Sequence, residues 1–254
     1  MSGSPGSGTA SGRAVTLVVP CFNEADRLQR EELSALTARP DVGIVLVDDG
    51  STDQTLRLLR QLEMELPAVQ VVHLADNAGK AEAVRRGLLA ALTGDPEVVG
   101  FVDADFATPS AEVLRLADAI RRPGAPDVVI GSRVLLSGRT VVRRPIRHVL
   151  GRAVATYLSL AYALQIYDTQ CGTKLFRVDD RLRLALATPF VTRWLFDVEL
   201  LLRLRDVTTT PASVREEPLE VWRDVPGSRL SAGEFGRVLN DFRALHQHRR
   251  VAPD

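Results

Sequence analysis

Asp103-Ala104-Asp105 sets two carboxylates two residues apart, directly after the apolar run Val98–Val102. On an extended chain alternate side chains point the same way, so both acids can face one pocket. A hard divalent cation takes one or two carboxylates and completes its shell with phosphate oxygens and water. A lone pair of this kind is common by chance, and the plain alternative is a strand-end turn with an acid capping the helix at Pro109. What separates the two readings is company. Three more polar clusters close three more apolar runs: Pro20–Glu24 after Val15–Val19, Asp48–Ser51 after Val42–Val47, and Asp76–Lys80 after Val69–Leu74. Parallel α/β sheets bind ligands at the carboxyl ends of their strands. Four such clusters on one rim describe a binding site.

The other clusters have their own chemistry. Asp48 and Asp49 can accept hydrogen bonds from a base N–H or from ribose hydroxyls, and Gly50 permits a tight turn. Ser51 with Gln54 has capping-box spacing for the next helix. Lys80, beside Gly79 at a helix start, is suited to neutralise a phosphate. Lys80 and Lys174 are the only lysines, beside 30 arginines. An arginine bias of that kind reflects composition, but a surviving lysine marks a place where a compact ammonium suits better than a guanidinium fork.

The elements that must carry these groups alternate. Short apolar runs predict strands at Val15–Val19, Val42–Val47, Val69–Leu74, Val98–Val102 and Val128–Ile130. Helices are expected over Glu24–Ala38, from the Ser51 box to Leu66, over Lys80–Leu92, and from Pro109 to Arg121. The pattern defines an α/β fold with a largely parallel central sheet. After Arg133 helices dominate. A strand is expected near Thr173–Arg177, helices near Asp179–Ala187 and Arg193–Arg205, a strand near Ser213–Val221, and a last helix from Gly233 to His246. This half reads as an acceptor-side elaboration on one domain spanning 14–246. Residues 1–13 read as a disordered Gly/Ser-rich leader and 247–254 as a tail.

Composition excludes several classes. Lys plus Arg and Asp plus Glu both number 32, so the chain lacks the basic excess of a nucleic-acid binder. Two cysteines make no disulfide framework and point to a reducing, cytoplasmic compartment. No G-x-G-x-x-G follows the first strand, which argues against a dinucleotide oxidoreductase. A receiver domain would carry its Asp pair after the first strand, in a much shorter chain. Charge is unevenly spread: Val128–Tyr167 has six Arg and no acid. That basic segment runs into the uncharged, apolar Ala153–Tyr167, fifteen residues long where a span needs about 20. Basic flank plus apolar helix is the pattern of an interfacial element, with peripheral contact through 139–167 at the inner face of a membrane. A buried helix with a solvated basic face is the alternative.

Together, Val18–Glu24, Val47–Asp53, Asn77–Lys80 and Asp103–Asp105 resemble the inverting family 2 glycosyltransferases of GT-A (Rossmann-like) fold. The second half, in Asp168–Phe176, Arg193–Leu200 and Gly227-Ser228-Arg229, is similar to the dolichyl-phosphate glucosyltransferase branch. The resemblance runs from about Ala14 to Arg229. It implies an NDP-sugar donor, UDP-glucose in that branch, and Mg²⁺ or Mn²⁺ as cofactor. It implies that Pro20, Glu24 and Asp49 hold the nucleoside, with Phe22 and Asn77 in the same donor set. Asp103 would touch ribose or metal-bound water, Asp105 would coordinate the metal on the diphosphate, and Lys80 would lie near base or diphosphate. Ala104, Arg133, Trp194 and Arg229 complete the expected donor contacts. Trp194 reads as core or sugar-stacking platform. Arg229, in a Gly/Pro/Ser-rich loop, is placed to close over the diphosphate.

Two acceptor classes follow, with different needs. A phosphomonoester is largely ionised at neutral pH and barely needs a base. A hydroxyl does need one, worth roughly 10²–10⁴-fold. Asp197 is the favoured base or acceptor-orienting group, and Asp168 is next, as base or as a turn-former. Glu199 is a third candidate; it lies two residues from Asp197, so on a helix the two diverge and at most one faces the sugar, the alternative for Glu199 being a buried partner of Arg193 or Arg203. A polyprenyl phosphate suits the basic segment and apolar helix. A soluble hydroxyl acceptor suits the absence of any readable span. A catalytically silent nucleotide-sugar binder is a third reading, against which the intact acid pair argues. Cys21 and Cys171 lack metal spacing and read as small buried residues.

Overall fold

The computed structural model describes residues 12–142, 155–164, 166–207, 212–223, 225 and 240–247. Residues 1–11 of the leader, 248–254 of the tail, the Arg229 loop, the first half of the expected helix Gly233–His246 and residues 143–154 of the basic segment lie outside them.

Seven strands form one sheet in the order β3-β2-β1-β4-β7-β5-β8. The strands are β1 (Val15–Cys21), β2 (Val42–Asp49), β3 (Val69–Leu74), β4 (Val98–Phe101), β5 (Val128–Ser132), β7 (Lys174–Arg177) and β8 (Val214–Pro218). β1, β2, β3 and β4 pair in parallel, as do β5 and β8. β7 alone runs antiparallel, wedged between β4 and β5. Every residue of β2 and β4 is buried, as expected of strands covered by helices on both faces. The helices are α1 (Arg30–Thr37), α2 (Thr55–Glu65), α3 (Lys80–Ala91), α4 (Ser110–Arg121), α5 (155–162), α6 (Asp180–Leu186), α7 (Phe196–Asp206) and α8 (240–247).

Two features position the site. From β1 the chain winds outward through β2 and β3, then crosses back to add β4 on the other side of β1. The crevice beyond β1 and β4 is therefore the topological switch point, where open α/β sheets bind ligands. The antiparallel β7 brings its own start to that rim, since Lys174 pairs with Phe101 at the end of β4. The segment before β7 thus meets Asp103-Ala104-Asp105.

The structure departs from the expected elements in four places. α1 starts at Arg30 instead of Glu24, because a tight turn in which the Leu28 N–H bonds the Glu24 carbonyl at 2.9 Å comes first. Ser51 does not cap α2: its hydroxyl accepts the Asn23 N–H at 3.0 Å, and Asp53 accepts the Thr55 N–H at 2.9 Å instead. The strand expected over Ser213–Val221 breaks after Pro218, where the Leu219 N–H turns to the Ser132 carbonyl at 2.9 Å. The chain resumes as β9 (Val221–Arg223), in a small parallel pair with the unforeseen β6 (Thr140–Val142). The apolar helix is two-sided. α5 buries Ala155, Leu158 and Tyr162 along one face while Leu160 is 82% exposed and Tyr157 48%.

Candidate active site

The β1 and β2 ends are laced together. Asn23, in the left-handed region at φ 53°, accepts the Thr52 N–H on its side-chain oxygen at 2.9 Å, and the Glu24 N–H bonds the buried Thr55 hydroxyl at 2.8 Å. Gly50, at φ +64°, lies so close to the next loop that a Cβ would come within 2.5 Å of the Asp76 carbonyl carbon. Asp49 then spans that gap. Its carboxylate accepts the Ala78 N–H at 2.8 Å and the Gly79 N–H at 2.9 Å, and its carbonyl accepts from the Asn77 amide at 3.3 Å. Burial pushes the Asp49 carboxyl above its usual range, against the pull of those two N–H groups. Pro20 and Phe22 are half-buried on the same rim. Asp48, fully buried, faces away to His73 Nδ1 at 2.8 Å.

At the β4 end, Lys80 Nζ donates to Asp103 Oδ1 at 2.5 Å. Burial works to lower the Lys80 ammonium, but Asp103, Asp197 and Asp105 outweigh it, and the group is held charged. Asp105 accepts the Ala107 N–H at 3.1 Å and lies 3.6 Å from Arg27, whose Nε is 3.5 Å from Glu24. Arg27 thereby bridges the β1 and β4 ends, a role with no sign in the sequence. Burial first and the charge of Asp103 second raise the Asp105 carboxyl. Ala104 is buried between them, in a turn and not in the extended chain the spacing suggested. Gly172 seals the other side of Asp103: a Cβ there would come within 2.2 Å of its Oδ2.

The segment before β7 and the start of α7 form the opposite wall. Asp168 takes the Arg133 guanidinium on both oxygens, at 2.8 and 2.7 Å, and the Arg133 N–H at 2.9 Å. Arg133 also lies 5.3 Å from the Trp222 ring centroid. Both residues are therefore engaged with each other. Asp168, the second expected base, and Arg133, an expected donor contact, stand here as an ion pair. Asp197 accepts from the fully buried Lys174 Nζ at 2.7 Å, from Gln170 at 3.2 Å and from its own helix at the Val198 N–H, 2.8 Å. Glu199 turns away from Asp197 and binds Arg203 at 2.6 Å with the Thr192 hydroxyl at 2.6 Å. Trp194 is half-buried against the core. Arg229 lies outside the described residues. Burial pushes the Cys21 and Cys171 thiols up, so both stay neutral packing groups.

Structures of the same architecture carry the GT-A fold. Glucosyl-3-phosphoglycerate synthase from Mycobacterium tuberculosis, solved with Mn²⁺, UDP and phosphoglyceric acid, matches with a TM-score of 0.65 over 96% of this chain and 80% of that one, at 19% identity. This chain has that fold: a single α/β domain around a mostly parallel seven-stranded sheet. It belongs to glycosyl transferase family 2, whose sequence profile matches residues 16–184. It is similar to a dolichyl-phosphate beta-glucosyltransferase, ALG5C, of Trichomonas vaginalis, at 31% identity over 240 residues, covering 89% of this chain and 69% of the relative. It is likewise similar to the dolichyl-phosphate beta-glucosyltransferase of Saccharomyces cerevisiae, at 30% identity over 240 residues, 85% and 69%. The protein is an enzyme, a hexosyltransferase. Among the described residues no helix is long and apolar enough to cross a membrane.

Proposed function

We propose that the enzyme moves glucose from UDP-glucose to a polyprenyl phosphate of the dolichyl type, with inversion at the anomeric carbon. The observation that carries this reading is identity of about 30% with dolichyl-phosphate glucosyltransferases across most of the chain. The disposition of the acids supports it. A hydroxyl acceptor must surrender a proton, and both expected bases have their oxygens occupied, Asp168 by Arg133 and Asp197 by Lys174 and Gln170. A phosphate arrives largely ionised. Asp197 then acts as an acceptor-orienting group.

The donor set fits a hard divalent cation. Two carboxylates leave one strand end, and among the described residues no third His, Cys, Asp or Glu joins them. That suits a metal whose other ligands are phosphate oxygens and water. Asp105 and Asp103 would hold it, and when bound it supplies charge stabilisation for the departing diphosphate. The chain's own contribution is fixed positive charge at that place. Lys80 and the α3 amino terminus face the leaving group, and Arg27 backs Asp105, so the field is organised before reaction. Asp49 orders the Asn77–Gly79 turn that walls the nucleoside. Exposed Leu160 and Tyr157 on α5, following the basic segment, suit peripheral contact with the membrane that holds a lipid acceptor.

The test is transfer of labelled glucose from UDP-glucose to a short polyprenyl phosphate, with Mn²⁺, with Mg²⁺ and with chelator. Metal-dependent product on the lipid phosphate is the expected result. Product only on soluble hydroxyl acceptors would replace the acceptor, and metal-independent transfer would overturn the role of Asp103 and Asp105.

A further inference from the structure

Asp241 on α8 is 6% exposed, and its carboxylate is spent on backbone. It accepts the Trp194 N–H at 2.6 Å, the Leu195 N–H at 2.9 Å and the Arg193 N–H at 3.2 Å. These N–H groups belong to the turn that enters α7. An acid at that place takes the N–H of Leu195, which precedes the first turn of α7, and complements the helix dipole. α8 therefore fixes the backbone from which the exposed Arg193 side chain leaves.

That side chain goes to the donor rim. Its Nη2 lies 3.5 Å from the Ala78 carbonyl, and Nε and Nη2 both lie 3.5 Å from where a Cβ on Gly79 would stand. The guanidinium thus covers the turn whose N–H groups bind Asp49 and whose next residue, Lys80, binds Asp103. Among the described residues no carboxylate lies within ion-pair distance of Arg193, whereas Lys80 and Arg133 each hold one. Its charge acts through space on Asp49. A guanidinium with most of its five donors unspent among the described residues, on the rim of a crevice and beside a helix amino terminus, is organised to receive an anion.

We propose that Arg193 is a donor-binding residue that takes the diphosphate of the nucleotide-sugar, and that Asp241 is its positioning residue. This rests on the reading of the site as a nucleotide-sugar site. The contact ties the carboxyl-terminal helix to donor affinity through one turn of chain.

The test is calorimetric binding of UDP and of GDP, each beside its free nucleoside, to the full chain with Mn²⁺. Wild type is compared with Arg193→Gln, Arg193→Lys and Asp241→Asn. Arg193→Gln is expected to weaken the preferred diphosphate by about tenfold or more, leave its nucleoside nearly unchanged, and raise donor KM more than it lowers kcat. Arg193→Lys should recover part of the loss. Asp241→Asn should fall between, with the same selectivity for diphosphate over nucleoside. An unchanged diphosphate-to-nucleoside ratio in Arg193→Gln overturns the proposal, and so does equal loss of both ligands. Arg193 is exposed, so that variant is expected to fold even if Asp241→Asn does not. If wild type binds neither diphosphate, the donor reading itself has failed, which is a separate result.

Discussion

Lys174 Nζ lies 2.7 Å from Asp197 Oδ2, with the lysine fully buried beneath the crevice and 5.6 Å from the Phe101 ring centroid. One partner stands at the start of β7 and the other in the first turn of α7, so the pair pins helix to sheet beside the crevice. Breaking a buried ion pair from one side leaves an uncompensated charge. Lys174→Met is expected to cost about 3–5 kcal/mol in denaturant unfolding. The double variant Lys174→Met/Asp197→Leu should recover much of that stability without recovering transfer. Recovery of both would reduce the pair to scaffolding.

Asp105→Asn is expected to abolish transfer while the thermal unfolding midpoint stays close to wild type. The substitution keeps size but removes a charged oxygen that a dication needs. Near-normal turnover in Mn²⁺ buffer would remove Asp105 from the site.

For Asp197→Asn the size of the loss reports the acceptor. The amide has one oxygen for three donors, so its NH2 meets either Lys174 or the Gln170 and Val198 N–H groups, and kcat is read beside the unfolding midpoint. A fall in kcat well under 10²-fold is expected for a phosphate acceptor, and a fall of 10²-fold or more would indicate a base acting on a hydroxyl.

Gly172→Ala should impair catalysis more than folding. The added methyl would stand 2.2 Å from Asp103 Oδ2, so that carboxylate must turn aside. Donor KM and metal requirement are expected to rise, with circular dichroism unchanged. Unaltered kinetics would mean that Asp103 has room to spare.

Acid stability has an identifiable contributor far from the site. Hydrogen bonds from Arg39 first, and Arg121 with them, hold Asp41 down from 3.8 to about 2. A lowered carboxylate stabilises the fold above the unfolded value and loses that contribution as pH falls through the folded one. Asp41→Asn is expected to cost about 1–2 kcal/mol at pH 6, given partial exposure. The gap from wild type should close between pH 4 and pH 2. A gap independent of pH would assign the loss to packing.

The strands and the acid pair were legible because their signals are local. Continuous apolar runs read as buried strands, and each polar cluster follows one directly, so the rim could be drawn from order alone. Partner choice is not local. Lys174–Arg177 reads as a strand, yet nothing in four residues says that it inserts antiparallel between β4 and β5. The occupied state of Asp168 and Asp197 follows from that insertion and was invisible for the same reason. Arg27, Arg193 and Asp241 were missed because each acts across a gap in sequence, on Asp105, Gly79 and the α7 turn respectively. Ser51 shows the reverse error: a correct local motif whose hydroxyl is taken by a neighbouring loop.

The antiparallel strand β7 also constrains how such an enzyme can diversify. Its ladder to β4 makes the chain proposed to shape the acceptor side a structural member of the sheet that ends in the acid pair. An exchange of acceptor modules between relatives must therefore carry β7 across intact, or the donor half loses its central neighbour. Grafts cut at the loops before Asp168 and after Arg177 would keep that seam whole, whereas cuts inside it would unfold both functions together.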